Sequence, residues 1–327
     1  MVIVTNFPRF PAQWRSTSGV TGQTITAKTA WQFFRNSPRA DLIIVNNDAN
    51  LGMRLCALYL LFPFWRRPIL GNDMPLRAPS TLKTRLTAPF KRFLLSRIDH
   101  FTLHFRDLAG YEKYFGIGPR RASYLPFKPN IRYRYEYKVG GDGDYVLCFG
   151  RSERDYDTFF QAMEKLPYPA AIPRPKFDQL KHHTSRFTYD LAALPKNVQI
   201  LEDDGSVESL IRMIENARLV ALPILGSRIA PSGLGTYLNA MLMGKCVILT
   251  EGVAASDVLT DEVLFVPPEN ADALAATIRR AWEDKELRER TAAIGRHYAE
   301  SLGGEPELRQ RVLDRALEKL TPNHGQS

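Results

Sequence analysis

The chain has 327 residues, 44% hydrophobic and 24% charged, which is the composition of a globular protein with enough apolar mass for two domains. Of its 44 Lys+Arg and 35 Asp+Glu, 22 and 7 lie in residues 1–138 (net +15), leaving 22 and 28 for the remainder (net −6); such a split predicts two domains with different partners, the first meeting phosphates, anionic lipid or nucleic acid. The longest apolar run, residues 55–65, is broken by Pro63 and bounded by Arg54 and Arg66, well short of the roughly 20 residues of a spanning helix, and Met1 is followed too closely by Pro8 and Arg9 for a secretory apolar region.

In chain order, a first strand is predicted over 2–5, a helix over 24–34, and a buried strand over 41–45 ending in Asn46-Asn47-Asp48. A helix near 51–61 leads to a short strand at 67–70 that delivers Asn72-Asp73. From 81 to 98 the apolar residues Leu82, Leu86, Phe90, Phe93, Leu94 and Ile98 recur at helical spacing, with a kink expected at Pro89. Lys83, Arg85, Lys91, Arg92 and Arg97 fall mostly on the other face. Two uses fit this helix: packing its apolar stripe on a sheet with solvated cations outside, or docking on an anionic bilayer. A strand at 100–104 and a helix at 108–115, stopped by Gly116 and Gly118, complete a βα alternation that predicts a parallel sheet. The first domain is expected to span 1–130.

Residues 131–143, rich in Tyr, Arg and Gly, are expected to be an interdomain linker, and 144–304 a second domain. It opens with a strand at 145–149 that ends in Gly150-Arg151, followed by a helix over 155–166. The stretch 167–196 carries no assignable periodicity. A strand at 198–201 and a helix at 207–215 precede LVALPILGSRIAPSGLGTYLNAMLMGKCVILT at 219–250, a strand, a loop with Gly226, Ser227, Ser232, Gly233 and Gly235, a helix and another strand. A last strand at 263–266 and helices at 272–282 and 287–302 follow. Residues 305–327 are expected to be a terminal helix and a disordered tail. The fold class is α/β, with two doubly wound Rossmann-like domains. Cys56, Cys148 and Cys246 are far apart in apolar segments and predict buried thiols in a reducing, cytoplasmic compartment.

In open parallel sheets ligands bind beyond the carboxyl ends of the strands. There the second domain carries Arg151 and Arg154, spaced to grip a diphosphate or simply solvated on a connecting loop. It also carries Asp203 and Asp204, most simply turn and capping residues. The third strand end is the loop with Ser232, Gly233, Leu234, Gly235 and Thr236, which aims free N–H groups and a helix start at an anion. In the first domain Asp73 and His104 end strands, and each also reads as an ordinary turn or hydrogen-bonding residue. His182-His183 has neither the spacing nor the companions of a metal site. No glycine fingerprint GxGxxG follows the first strand of either domain, against a nicotinamide enzyme, and no nucleic-acid motif is present, so no nucleic-acid partner is expected.

CFGRSERDYDTFFQAM, VQILEDDGSVESLIRMIENARLVALPI, SGLGTYLNAMLMGKCVILTEG and EVLFVPPENADALAATIRRAWED occur in that order. Over about 145–302 they resemble the C-terminal domain of nucleotide-sugar glycosyltransferases of the GT-B fold, more narrowly the family-4-like retaining enzymes, glycosyl transferases group 1. The resemblance implies two domains facing across a cleft and transfer of a sugar from a nucleoside-diphosphate donor to a saccharide or lipid-linked acceptor. It implies retention of configuration, with no cofactor and no metal, as in polysaccharide biosynthesis. By position Arg151 and Arg154 match the family's basic phosphate binders, and Ser232, Gly233, Leu234, Gly235 and Thr236 match the diphosphate and sugar loop. Asn239 stands where the family has a ribose-gripping glutamate, which leaves a catalytically inactive glycosyltransferase-like binding or scaffold protein as the alternative. Asp73 stands where related enzymes often carry a cleft-facing histidine, and is the candidate catalytic residue. The basic first domain adds peripheral docking on the cytoplasmic face of a membrane.

Overall fold

The computed structural model describes residues 1–226 and 229–321; Ser227 of the glycine-rich loop and residues 322–327 of the terminal tail lie outside them. The chain divides into two units, Met1–Pro126 with the segment from Pro306 onward, and Phe127–Glu305.

The first unit is built from β1 (Val2–Thr5), β2 (Gln13–Arg15), β3 (Thr21–Thr26), α1 (Ala30–Asn36), β4 (Leu42–Asn46), α2 (Ala49–Leu61), β5 (Ile69–Asn72), α3 (Leu82–Leu95), β6 (His100–Leu103), α4 (Ala109–Phe115) and β7 (Ala122–Tyr124). Its seven-stranded sheet has the order β2-β3-β1-β4-β5-β6-β7. All pairings are parallel except β2 with β3. Residues 24–26, expected at the start of a helix, belong to β3. The alternating TGQTIT fits a half-buried edge strand, and Thr29 caps the helix that follows.

Helix α3 runs unbroken through Pro89, and its packing reverses the simpler expectation. Only Leu94 and Leu95 of the helix are buried, while Leu82, Leu86, Phe90 and Phe93 face solvent.

The second unit comprises β8 (Tyr145–Leu147), α5 (Tyr156–Met163), β9 (Ala170–Pro173), α6 (Phe177–His182), β10 (Val198–Leu201), α7 (Val207–Glu215), β11 (Ala217–Leu222), α8 (Leu234–Leu242), β12 (Cys246–Thr250), β13 (Leu264–Val266), α9 (Ala271–Glu283) and α10 (Lys285–Ser301). Its six strands are ordered β10-β9-β8-β11-β12-β13 and all pairings are parallel. This is the doubly wound order, with its reversal between β8 and β11. Strands buried on both faces need near-continuous apolar sequence. Val220, Leu222, Val247 and Leu249 fill one face, and the alternate residues Leu219, Ala221, Cys246 and Ile248 fill the other.

The stretch expected as a linker is fixed in the second unit. Lys245 Nζ donates to the carbonyls of Gly140, Gly141 and Glu215, and Arg288 pairs with Asp142. The terminal helix α11 (Glu305–Leu320) completes the first unit. There Gln310 Nε2 donates to Arg15 O, Asp314 Oδ1 accepts the Thr17 N–H, and Arg311 donates to Pro126 O.

Candidate functional site

A cavity of about 440 Å³ opens at the carboxyl ends of β8, β9, β10 and β11, the place where open parallel sheets bind ligands and a volume suited to a small organic molecule. The structure brings Arg151, Arg154, Gly233, Leu234, Gly235, Thr236 and Asn239 into its wall. Ser232 is bonded to that wall, its Oγ donating to Ser152 O at 2.6 Å and tying the loop before α8 to the turn after β8.

Arg154 lies at the centre of this turn with only 1% of its surface exposed. Its Nε donates to Phe149 O (2.9 Å), Nη1 to Ser152 O (3.0 Å) and Nη2 to Thr236 Oγ1 (3.0 Å). Burial pulls its pKa below the usual arginine value, but arginine starts high enough to stay protonated. Glycine is required around it. Gly150 (φ +113) and Gly233 (φ +80) both sit in backbone conformations that side chains avoid, and a Cβ on either would fall 2.6–2.7 Å from Arg154 Nη2.

Two other cations of the cavity are paired, Arg174 with Glu202 and Lys176 with Asp203. Arg154 and Arg151, by contrast, bond only neutral groups among the described residues, Arg151 through Nη1 to Gln179 Oε1 at 3.2 Å. A guanidinium buried among neutral partners costs several kcal/mol of desolvation that an incoming anion offsets.

The second attraction for an anion is the start of α8. Its first residue follows Gly233, which offers no capping side chain, and the first turn has no acidic residue. Gly233 O takes the N–H of Thr236 and Tyr237, so the N–H groups of Leu234 and Gly235 find no acceptor among the described residues. Such free N–H groups carry the positive end of the helix dipole.

Asn239, 3% exposed, lies one turn on. Its Oδ1 accepts the Asn130 N–H at 2.7 Å, and Asn130 Oδ1 in turn accepts from Lys128 Nζ (2.6 Å), which also pairs with Glu305 at 3.0 Å. One acceptor position of the carboxamide is therefore occupied by the protein itself. Asn130 packs so tightly on α8 that a Cβ at Gly235 would meet its Nδ2 at 2.1 Å.

Sequence reasoning missed Lys128 and Asn130, which lie outside every motif. It also missed Pro173, Lys176, Gln179 and Leu180 of the cavity wall, which come from the unassigned stretch. Asp203, assigned to a turn, does accept the Gly205 N–H (2.8 Å) and also lines the cavity.

Asp73 and His104 come together in the first unit, apart from these groups in the chain. Asp73 adopts the left-handed conformation (φ 47), and its N–H donates to Thr102 O at 2.8 Å. Its Oδ2 lies 4.0 Å from Nε2 of the buried His104. His104 Nδ1 contacts Leu125 O at 2.8 Å; a carbonyl only accepts, so Nδ1 carries the proton and Nε2 is the nitrogen turned to Asp73. Beside this pair a row of amides and hydroxyls crosses the strand ends: Thr102 Oγ1 donates to Asn72 Oδ1, Asn72 Nδ2 to Asn46 Oδ1, and the Asn46 N–H to Asn6 Oδ1. Among the described residues no group of three or more His, Cys, Asp or Glu side chains converges as a metal site. No helix among them is long and apolar enough to cross a membrane.

Residues 184–298 match the family model described as glycosyl transferases group 1, which takes in the β10, β11 and α8 walls of the cavity and leaves the Arg151–Arg154 turn outside it. The likeness to the glycosyl transferases group 1 lies within this part of the second unit. No curated protein matches it. Solved structures extend the likeness to both units. Anabaena HepE in complex with UDP has a TM-score of 0.67 at 14% identity, over 90% of this chain and 86% of that one. Sucrose-phosphate synthase from Thermosynechococcus elongatus has a TM-score of 0.64 at 17% identity, over 97% and 88%. The lipopolysaccharide outer core galactosyltransferase WaaB has 0.61 at 10% identity, over 90% and 84%. The fold of this chain is GT-B.

Proposed function

We propose that the cavity holds the diphosphate of a nucleoside-diphosphate sugar and that the enzyme passes the sugar, with retention of configuration, to a saccharide or lipid-linked acceptor. The carrying observation is the buried Arg154, whose partners are all neutral, beside the uncapped start of α8. Breaking the sugar–phosphate bond leaves negative charge on the diphosphate. Arg151, Arg154 and the Leu234 and Gly235 N–H groups are fixed donors for that charge, and no metal or cofactor is assigned a step. Asn239, with one acceptor position taken, meets a ribose hydroxyl chiefly through its amide hydrogens. HepE in complex with UDP supports a uridine donor by analogy of fold.

On the acceptor side we assign Asp73, with His104 behind it, to orienting an acceptor hydroxyl and taking its proton. The row of Asn and Thr side chains beside it suits a polyol. The basic first domain supports an acceptor presented at the cytoplasmic face of an anionic membrane, and the likeness to a lipopolysaccharide outer core galactosyltransferase supports a lipid-linked one.

The test is calorimetric titration with UDP, GDP and ADP, followed by turnover assays with the sugar forms of whichever binds. Saturable binding of one diphosphate, with release of it in the presence of acceptor, is expected. Binding without turnover across a broad acceptor panel would favour the second reading, a sugar-nucleotide binding protein, to which the occupied Asn239 carboxamide points.

A further inference from the structure

We infer that the first unit attaches to an anionic bilayer by inserting apolar side chains, chiefly Leu82, Leu86, Phe90 and Phe93 of α3 with Phe64 and Trp65 after α2, rather than by charge alone. The inference deepens the reading of a membrane-presented acceptor and rests on it.

Positions 82, 86, 90 and 93 are spaced four, four and three apart, so they form one stripe along the helix. In a helix that completes a core this stripe would be inside. Here Leu82 is 75% exposed, Leu86 72% and Phe90 61%, while the buried side of α3 is only Leu94 and Leu95. Phe64, 70% exposed, adds apolar surface after the end of α2, and Trp65 meets its ring edge-on beside Phe34 and Phe62. The two parts are joined: Arg97 lies over the Phe93 ring at 5.1 Å, and Arg66, next to Trp65, donates through Nη2 to Arg97 O at 3.3 Å. An exposed apolar stripe with exposed aromatic rings at its arginine-lined border marks a docking site.

Charge identifies the occupant as a bilayer. Helix α3 contains Lys83, Arg85, Lys91 and Arg92 and no acidic residue, so every charge on the helix that carries the stripe favours an anionic partner. An apolar stripe of Leu and Phe rimmed by Lys and Arg on a surface helix is the arrangement that lies in the headgroup boundary of a membrane, with aromatic rings at the interface. Its cations attract the surface over a Debye length, and its apolar side chains then hold independently of salt.

The full-length protein is mixed with vesicles of equimolar phosphatidylcholine and phosphatidylglycerol and floated at low salt and again near 1 M salt. The wild type is expected to float at both. Leu86→Ser with Phe90→Ser should lose the salt-resistant fraction by on the order of tenfold or more, while Lys83→Gln with Arg85→Gln should reduce mainly the low-salt fraction. Both positions pairs are exposed, and unchanged thermal melting would show the variants folded. UDP binding measured on the same samples separates the two claims, since it reports the donor cavity and not the docking surface. Wild-type protein left unfloated at low salt, flotation abolished by high salt alone, or an apolar variant that floats as well as the wild type overturns the inference. So does self-association through this surface without lipid attachment.

Discussion

The two units present their strand ends differently. In the second unit the ends of β8 and β11 carry two guanidinium groups bonded to neutral partners and an open helix start. In the first unit the ends of β4, β5 and β6 carry a chain of amide and hydroxyl side chains with one carboxylate–imidazole pair. The same parallel-sheet scaffold therefore offers fixed positive charge in one place and paired, nearly neutral polarity in the other. The first surface suits an anion, and the second suits hydroxyl groups.

Changes that remove the difference should have the largest effects. Gly233→Val forces a side chain into a left-handed backbone position and onto Arg154. Nucleoside-diphosphate affinity is expected to fall by well over about a hundredfold, with roughly 1–3 kcal/mol lost from the second unit's stability. Calorimetric titration and chemical denaturation read the two effects.

Arg154→Met separates charge from packing. The cavity loses its buried cation, and diphosphate affinity should fall by about a hundredfold, roughly 3 kcal/mol. Because the uncompensated charge is also gone, the ligand-free protein should melt at or above the wild-type temperature. A variant that destabilises the free protein and leaves affinity intact would make Arg154 a structural residue.

Asp73→Asn tests the other side. Transfer to acceptor should drop by roughly tenfold to a thousandfold in kcat, with UDP binding unchanged, because no donor contact is assigned to Asp73. A parallel loss in donor affinity would contradict the division of labour.

The smallest effect is a pH dependence confined to the first unit. Burial, helped by Lys319 and Arg315 and opposed by Glu318, lowers the His100 pKa from 6.5 to about 4. Folding holds this imidazole neutral, so the unfolded chain binds more protons between those values. The stability it leaves intact above pH 6.5 is therefore lost progressively as the pH falls toward 4. Denaturation of His100→Gln should show a flatter profile over that window than the wild type.

The parts of this contrast visible in the sequence were those with long-range periodicity or strand-end motifs. The β11–α8–β12 unit was legible because its strands are apolar on both faces and its glycines punctuate the loop. The wall formed after β9 was not, because AAIP is a four-residue strand followed by a six-residue helix, too short for either period to register. Lys128 and Asn130 were hidden for another reason. Asn130 reaches Asn239 from 109 positions away through a backbone N–H, which carries no residue-type signal, and Lys128 acts only by holding the Asn130 side chain. The spacing of α3 correctly gave an amphipathic helix, but periodicity does not say which face is covered. Only the fold shows that the apolar stripe is outside.

The most direct measurement is a crystal structure of the protein soaked with UDP. The diphosphate is expected within hydrogen-bond distance of the Leu234 and Gly235 N–H groups and of the Arg151 guanidinium, with Arg154 beneath it. A diphosphate bound elsewhere on the molecule, or an empty cavity at saturating UDP, GDP and ADP, would contradict the assignment of this cavity to the donor.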